Sequence, residues 1–253
     1  MLAILLATAA LGVVTAFPSP GASGNARAAA QARGVYHLDF IRVLQRIADL
    51  RADPPDEPLV CLLGGSSARE CTVSNASWSD GVSTLRGYPS MAVNLGSKHR
   101  KFAEDRRLVN FLPDGTSIVF IGVNMGRFCN GRGDPPIVLP EPSGTARSSS
   151  SATRGSTRIM PNWRKRQIAN QWMVKRWPYF RARFRFNVRL LERVCTRSLA
   201  RGQYPVIVDL PRNMDIIGHR LDRPLNMYHR ECRALAKRLG IPYLQFQGRT
   251  GLR

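Results

Sequence analysis

Short apolar runs alternate along this chain with stretches of helical period. Residues 59–63 (Leu-Val-Cys-Leu-Leu) form a continuous apolar run that enters Gly64-Gly65. Residues 91–95, 117–121 and 205–210 are similar runs, and residues 241–246 form a fifth. Runs of this length and continuity predict strands buried on both faces, as in a parallel sheet. Between them the spacing changes. Leu38, Ile41, Leu44, Ile47 and Leu50 recur every three residues and predict a helix over 35–50, stopped by Asp53-Pro54-Pro55. Residues 98–111 and 224–239 show the same kind of period, the second through Leu225, Tyr228, Cys232, Leu235 and Leu239. Residues 162–200 predict one or two helices with a break before Pro178. Strands alternating with helices predict an α/β fold, with a doubly wound, parallel, five-stranded sheet between helical layers.

Three segments stand outside that rhythm. Residues 1–17 are apolar, Gly or Thr throughout, with Pro18 and Pro20 following. This reads as a signal peptide or signal anchor, and hence as an extracytoplasmic protein, secreted or membrane-anchored. No Lys or Arg precedes the run, and Arg27 and Arg33 follow it. A buried core helix is the third reading. Residues 18–34 are rich in Ala, Gly, Pro and Ser and read as a flexible linker, leaving 35–253 as the α/β domain. Residues 135–157 are a low-complexity insertion of Pro, Gly, Ser and Thr, long enough to be a surface lid.

Charge changes the picture of partners but not of fold. There are 38 Lys+Arg against 17 Asp+Glu, a net charge of +21. From residue 161 onward the balance is 21 to five, so the excess is concentrated in the C-terminal part. Arg181, Arg185, Arg189 and Arg193 recur every four residues and form a slanted row on a helix, a candidate contact for an anionic membrane or polymer. A solvated face is the plain alternative. No nucleic-acid-binding signature is present, so nucleic acid is not the favoured partner. The five cysteines contain no C-x-x-C pair, and there is no P-loop, dinucleotide motif or metal-ligand cluster. No metal or cofactor is expected. Cys61 and Cys195 lie in apolar runs and read as small core residues.

Candidate chemistry sits where a parallel α/β sheet binds ligands, at the carboxyl ends of its strands. The first strand delivers Gly64-Gly65-Ser66-Ser67, the second Asn94-Leu95-Gly96-Ser97, and the third Gly122-Val123-Asn124. A serine after a glycine turn, a second glycine N–H and an asparagine amide are the groups needed to attack an ester carbonyl and hold its oxyanion. Serine at that place also serves as an ordinary helix N-cap.

At these residues the chain resembles the SGNH (GDSL-type) hydrolases, a family with a flavodoxin-like three-layer fold. The resemblance implies Ser66 as nucleophile and Gly96 and Asn124 as oxyanion donors. It spans roughly residues 58–246. There are departures. Gly65 stands where the family usually has Asp, and Met125 follows Asn124 where a second Asp is usual. The family's Asp-x-x-His block is expected after the last strand, and residues 247–253 contain neither residue. His219, which follows Asp215 with three residues between rather than two, is the least unlikely substitute base among His37, His99, His219 and His229. The resemblance implies an ester or acyl hydrolase acting on an O-acylated glycan or lipid, truncated or catalytically impaired. The alternative is a non-catalytic binding protein of the same fold.

Overall fold

A computed structural model describes residues 37–133, 136–143, 161–212 and 214–246. The proposed signal segment and linker lie outside the described residues, as does most of the 135–157 insertion. Five parallel strands form one sheet: β1 (Leu59–Gly64), β2 (Met91–Gly96), β3 (Thr116–Val123), β4 (Tyr204–Asp209) and β5 (Tyr243–Gln245). Their order is β2-β1-β3-β4-β5, the doubly wound flavodoxin-like order. The expected α/β class and strand number are found.

Helix α1 (Leu38–Ala52) precedes β1 and runs back along the sheet. His37 caps it, its ring accepting a hydrogen bond from the Asp39 N–H at 3.2 Å. Phe40, Ile41, Val43, Leu44, Ile47 and Leu50 are buried beneath it. The same face carries α4 (Phe102–Leu108), α6 (Trp177–Ala200) and α8 (Asp222–Leu239), which pack into one large apolar core. Helix α5 (Asn162–Lys175) joins α6 at Arg176, and Pro178 falls in the first turn of α6, where its missing N–H costs nothing.

The opposite face is covered by α2 (Ser66–Arg69) and α3 (Asn75–Arg86). Trp78 and Val82 of α3 press on Val60, Leu62, Ala92 and Phe120 in a second cluster. Ser74 starts α3 by accepting the Ser77 N–H at 3.0 Å. Gly87 ends it at φ 73°, the left-handed conformation that favours glycine.

β1 is an interior strand, paired on both sides, and all six of its residues are buried, as its unbroken apolar sequence predicts. Its register pairs Gly64 with Gly96 on β2 and Leu63 with Ile121 on β3. The chain leaves β1 towards β2 on one side and enters β3 on the other. The carboxyl ends of β1 and β3 therefore flank the crevice where this topology binds ligands. All five cysteines are unpaired, and Cys61 and Cys195 are core residues, as expected.

Candidate functional site

Gly65, not Ser66, is the N-cap of α2, and no side chain caps that helix. Ser66 is its first residue, exposed, with a hydroxyl that makes no hydrogen bond among the described residues. The ordinary capping role is thus not the one Ser66 plays. Asn124 ends β3 and does two jobs. Its Oδ1 accepts the Arg127 N–H at 3.2 Å, starting a short 3-10 turn at Met125–Cys129. Its Nδ2 donates to Ser67 Oγ at 3.1 Å, across the β1/β3 crevice. The amide reaches the serine pair, and the serine it touches is Ser67.

Gly96 is held differently. A Cβ there would lie 2.4 Å from the Arg69 nitrogen and 3.0 Å from the Ala68 carbonyl carbon, so only glycine lets α2 seat against β2. Its N–H donates to Asn94 Oδ1 at 2.8 Å, and Asn94 Nδ2 donates to the Ala68 carbonyl at 2.7 Å. Packing therefore explains Gly96 directly. Service as an oxyanion donor requires Asn94 to release its N–H.

Beneath these loops lies a buried ionic floor. Arg100, Arg127 and Asp105 are 2%, 3% and 0% exposed. Arg100 donates to the Leu95 carbonyl at 2.8 Å, and Arg127 to the Gly122 carbonyl at 2.7 Å. Both guanidinium groups meet Asp105, Arg100 at 3.4 Å and Arg127 in a close hydrogen bond. The two arginines thus tie down the ends of β2 and β3 while Asp105 offsets part of their charge. Burial lowers the Arg100 pKa to about 10, against the attraction of Asp105 and Glu104. The same burial raises Glu104, whose carboxylate accepts the Lys101 N–H at 2.8 Å. The Arg127 stem passes under the turn, 3.8 Å from where a Gly65 side chain would begin.

The four histidines are in four settings. His37 and His99 stand at the carboxyl edge of β1 and β2 with ring centroids 5.7 Å apart, and His99 adopts φ 58°. Asp39 beside them accepts a 2.6 Å bond from Arg69, fixing α2 to α1. His219 is exposed and pairs with Asp222 at 2.9 Å; the Asp215 side chain lies outside the described residues. His229 is buried on α8. Among the described residues, none of the four hydrogen-bonds Ser66.

A second polar cluster was not foreseen from the sequence. Asp209, at the end of β4 and fully buried, accepts bonds from the Tyr228 hydroxyl and from Arg212, including one of 3.2 Å. His229 Nε2 lies 3.5 Å from the same carboxylate. Burial and the Asp209 charge push the Tyr228 hydroxyl well above its usual value, and burial lowers His229. The available signal was a lone acid closing an apolar strand, followed by Pro211 and Arg212.

Arg181, Arg185, Arg189 and Arg193 lie along α6, exposed, with no side-chain partner among the described residues. Arg197 and Arg201, further along, are engaged with Asn110 and Asp114.

No family model matches this sequence, and no curated relative does. Among solved structures, the chain is similar to one titled "Crystal Structure of TesA", with TM-score 0.40 and 10% identity over 73% of this chain and 76% of that one. It is also similar to a catalytic mutant of Axe2, an acetylxylan esterase from Geobacillus stearothermophilus. That match has TM-score 0.40 and 10% identity over 74% and 75%. Likeness at that score says nothing of the chemistry here.

Proposed function

We propose that the chain carries a serine site of the SGNH-hydrolase kind, with Ser66 as nucleophile towards the acyl ester of a glycan or lipid. The observation that carries this reading is local. An exposed, unbonded serine hydroxyl opens the helix after β1, and the amide of Asn124 reaches across the β1/β3 crevice to the next residue. Nucleophile and oxyanion donor on adjacent strand ends are the pair that acyl transfer needs. Gly96 is the further donor in this reading, once Asn94 releases its N–H. Turnover is slow in this reading, because no imidazole is hydrogen-bonded to Ser66 among the described residues, and losing an activating base costs orders of magnitude in rate. Hydrolysis of p-nitrophenyl acetate by wild type is expected to exceed that by Ser66→Ala; equal rates would remove Ser66 as nucleophile.

The second reading is a binding protein of the same fold that contacts an anionic membrane or cell-wall polymer. It is favoured by Arg181, Arg185, Arg189 and Arg193, which are exposed and have no side-chain partner among the described residues. Arg185→Glu with Arg189→Glu is expected to weaken that contact, and unchanged binding would end the reading. An extracytoplasmic place for the protein fits either reading.

A further inference from the structure

Helix α5 spends its side chains in an unusual way. Only Ala169 is buried, with Trp172 and Met173 half-buried against the core. Its other large apolar residues point outward: Trp163 is 67% exposed, Ile168 48% and Val174 77%. With Tyr179, just inside α6, these make four of the nine large hydrophobic side chains exposed among the described residues. They lie within a 17-residue stretch. Scattered exposed hydrophobics are ordinary, but a cluster opposite a helix's buried side marks a contact surface.

At about 100° per residue, Trp163 and Val174 project within about 20° of each other. Gln167, Asn170 and Gln171 lie between them, and Arg164, Ile168 and Lys175 flank one side. Arg166 flanks the other. From residue 161 to 191 the chain has nine Lys+Arg and no acid. The occupant must therefore be anionic. It must also take up an indole and branched aliphatic side chains. Polysaccharide and polyphosphate offer charge but no apolar interior. An anionic bilayer offers both, and a helix with Trp on one face and cations beside it suits the headgroup boundary.

We infer that α5 is an interfacial helix that docks the protein on an anionic lipid surface. It seats Trp163 and Val174 among the acyl chains, with Arg164, Arg166 and Lys175 at the headgroups. This rests on the anionic-surface reading, narrows it to lipid and adds α5 to the arginine row of α6 as an anchor. Besides α6, α5 packs against α7 (Met214–Ile217) and the Gly218–Leu221 turn, which follow the carboxyl end of β4.

The test is co-sedimentation of the full chain with vesicles of phosphatidylcholine alone and with a third of phosphatidylglycerol, with heparin binding in parallel. The readout is the gain from neutral to anionic vesicles, which removes any charge-independent binding by residues 1–17. Each cation near such a surface raises partitioning roughly five-fold. Arg164→Glu with Arg166→Glu is expected to reduce the gain ten-fold or more. Trp163→Ser with Val174→Ser is expected to abolish most vesicle binding while leaving heparin binding unchanged. These side chains are exposed, so an unaltered thermal melt serves as the folding control. If the apolar pair leaves vesicle binding intact, the lipid inference fails while the anionic-surface reading stands. If neither vesicles nor heparin bind, both fail. Labelling of Ser66 by a fluorophosphonate reports on the hydrolase reading separately.

Discussion

The carboxyl edge of the sheet carries two polar clusters of opposite character. At β4, Asp209 is fully buried and takes the Tyr228 hydroxyl, Arg212 and His229, so strong charges are held by strong partners. At β1 and β3 the groups are small and neutral: Ser66 with no side-chain partner among the described residues, and Ser67 sharing one hydrogen bond with Asn124. Titratable groups alone would direct attention to β4. Yet a fully buried carboxylate engaged by a guanidinium and a phenol is closed to substrate, whereas an exposed hydroxyl at the topological switch point is open to it. The contrast separates charge that holds the fold from hydroxyls free to react. The Arg100–Asp105–Arg127 floor belongs with the first kind although it lies under the second.

The largest effect that sharpens this comparison is loss of a buried carboxylate. Asp105→Ala leaves two buried guanidinium groups facing each other, and Asp209→Ala strands Arg212. Each is expected to cost about 3–5 kcal/mol, read by chemical denaturation. A loss under 1 kcal/mol at Asp209 would mean that the β4 cluster is not structural. Gly96→Ala comes next, at about 1–3 kcal/mol, because the new methyl meets the backbone nitrogen of Arg69 and displaces α2. A neutral result there would restore Gly96 as a residue chosen for chemistry.

A smaller effect concerns pH. Burial holds the folded His229 pKa below its ordinary 6.5. A depressed histidine contributes stability that is present above pH 6.5 and lost as pH falls through the folded value. Wild type is expected to lose stability on acidification below about pH 6.5, and His229→Gln is expected to lose less. Parallel pH profiles would show that His229 is not the group responsible. The smallest effect belongs to the proposed nucleophile. Ser66→Ala removes an exposed, unbonded hydroxyl and is expected to shift stability by no more than about 0.5 kcal/mol.

How far the sequence reaches follows the same division. The four longest strands were legible because β1 to β4 carry continuous apolar runs, and the large core face was legible because α1 and α8 present long stripes. Helix α3 was not, since it buries only Asn75, Trp78 and Val82 and so gives almost no period. The strand-end loops were legible as Gly, Ser and Asn. Whether Asn124 meets Ser66 or Ser67 depends on a side-chain direction that no spacing encodes. The Asp209 cluster was invisible because Tyr228 and His229 arrive from a helix some twenty residues later. The same holds for the pairing of Asp105 with Arg127. The sequence marked the arginine row on α6. The outward turn of Trp163 and Val174 appears only once Ala169 is seen to face the core.

The central claim is that Ser66 is the reactive hydroxyl of this crevice, and intact-mass analysis after treatment with a fluorophosphonate tests it most directly. One adduct is expected on wild type and on Ser67→Ala, mapped by peptide sequencing to Ser66, and none on Ser66→Ala. An adduct that persists in Ser66→Ala, or that maps to Ser67, would contradict the account, as would a wild-type protein that remains unlabelled.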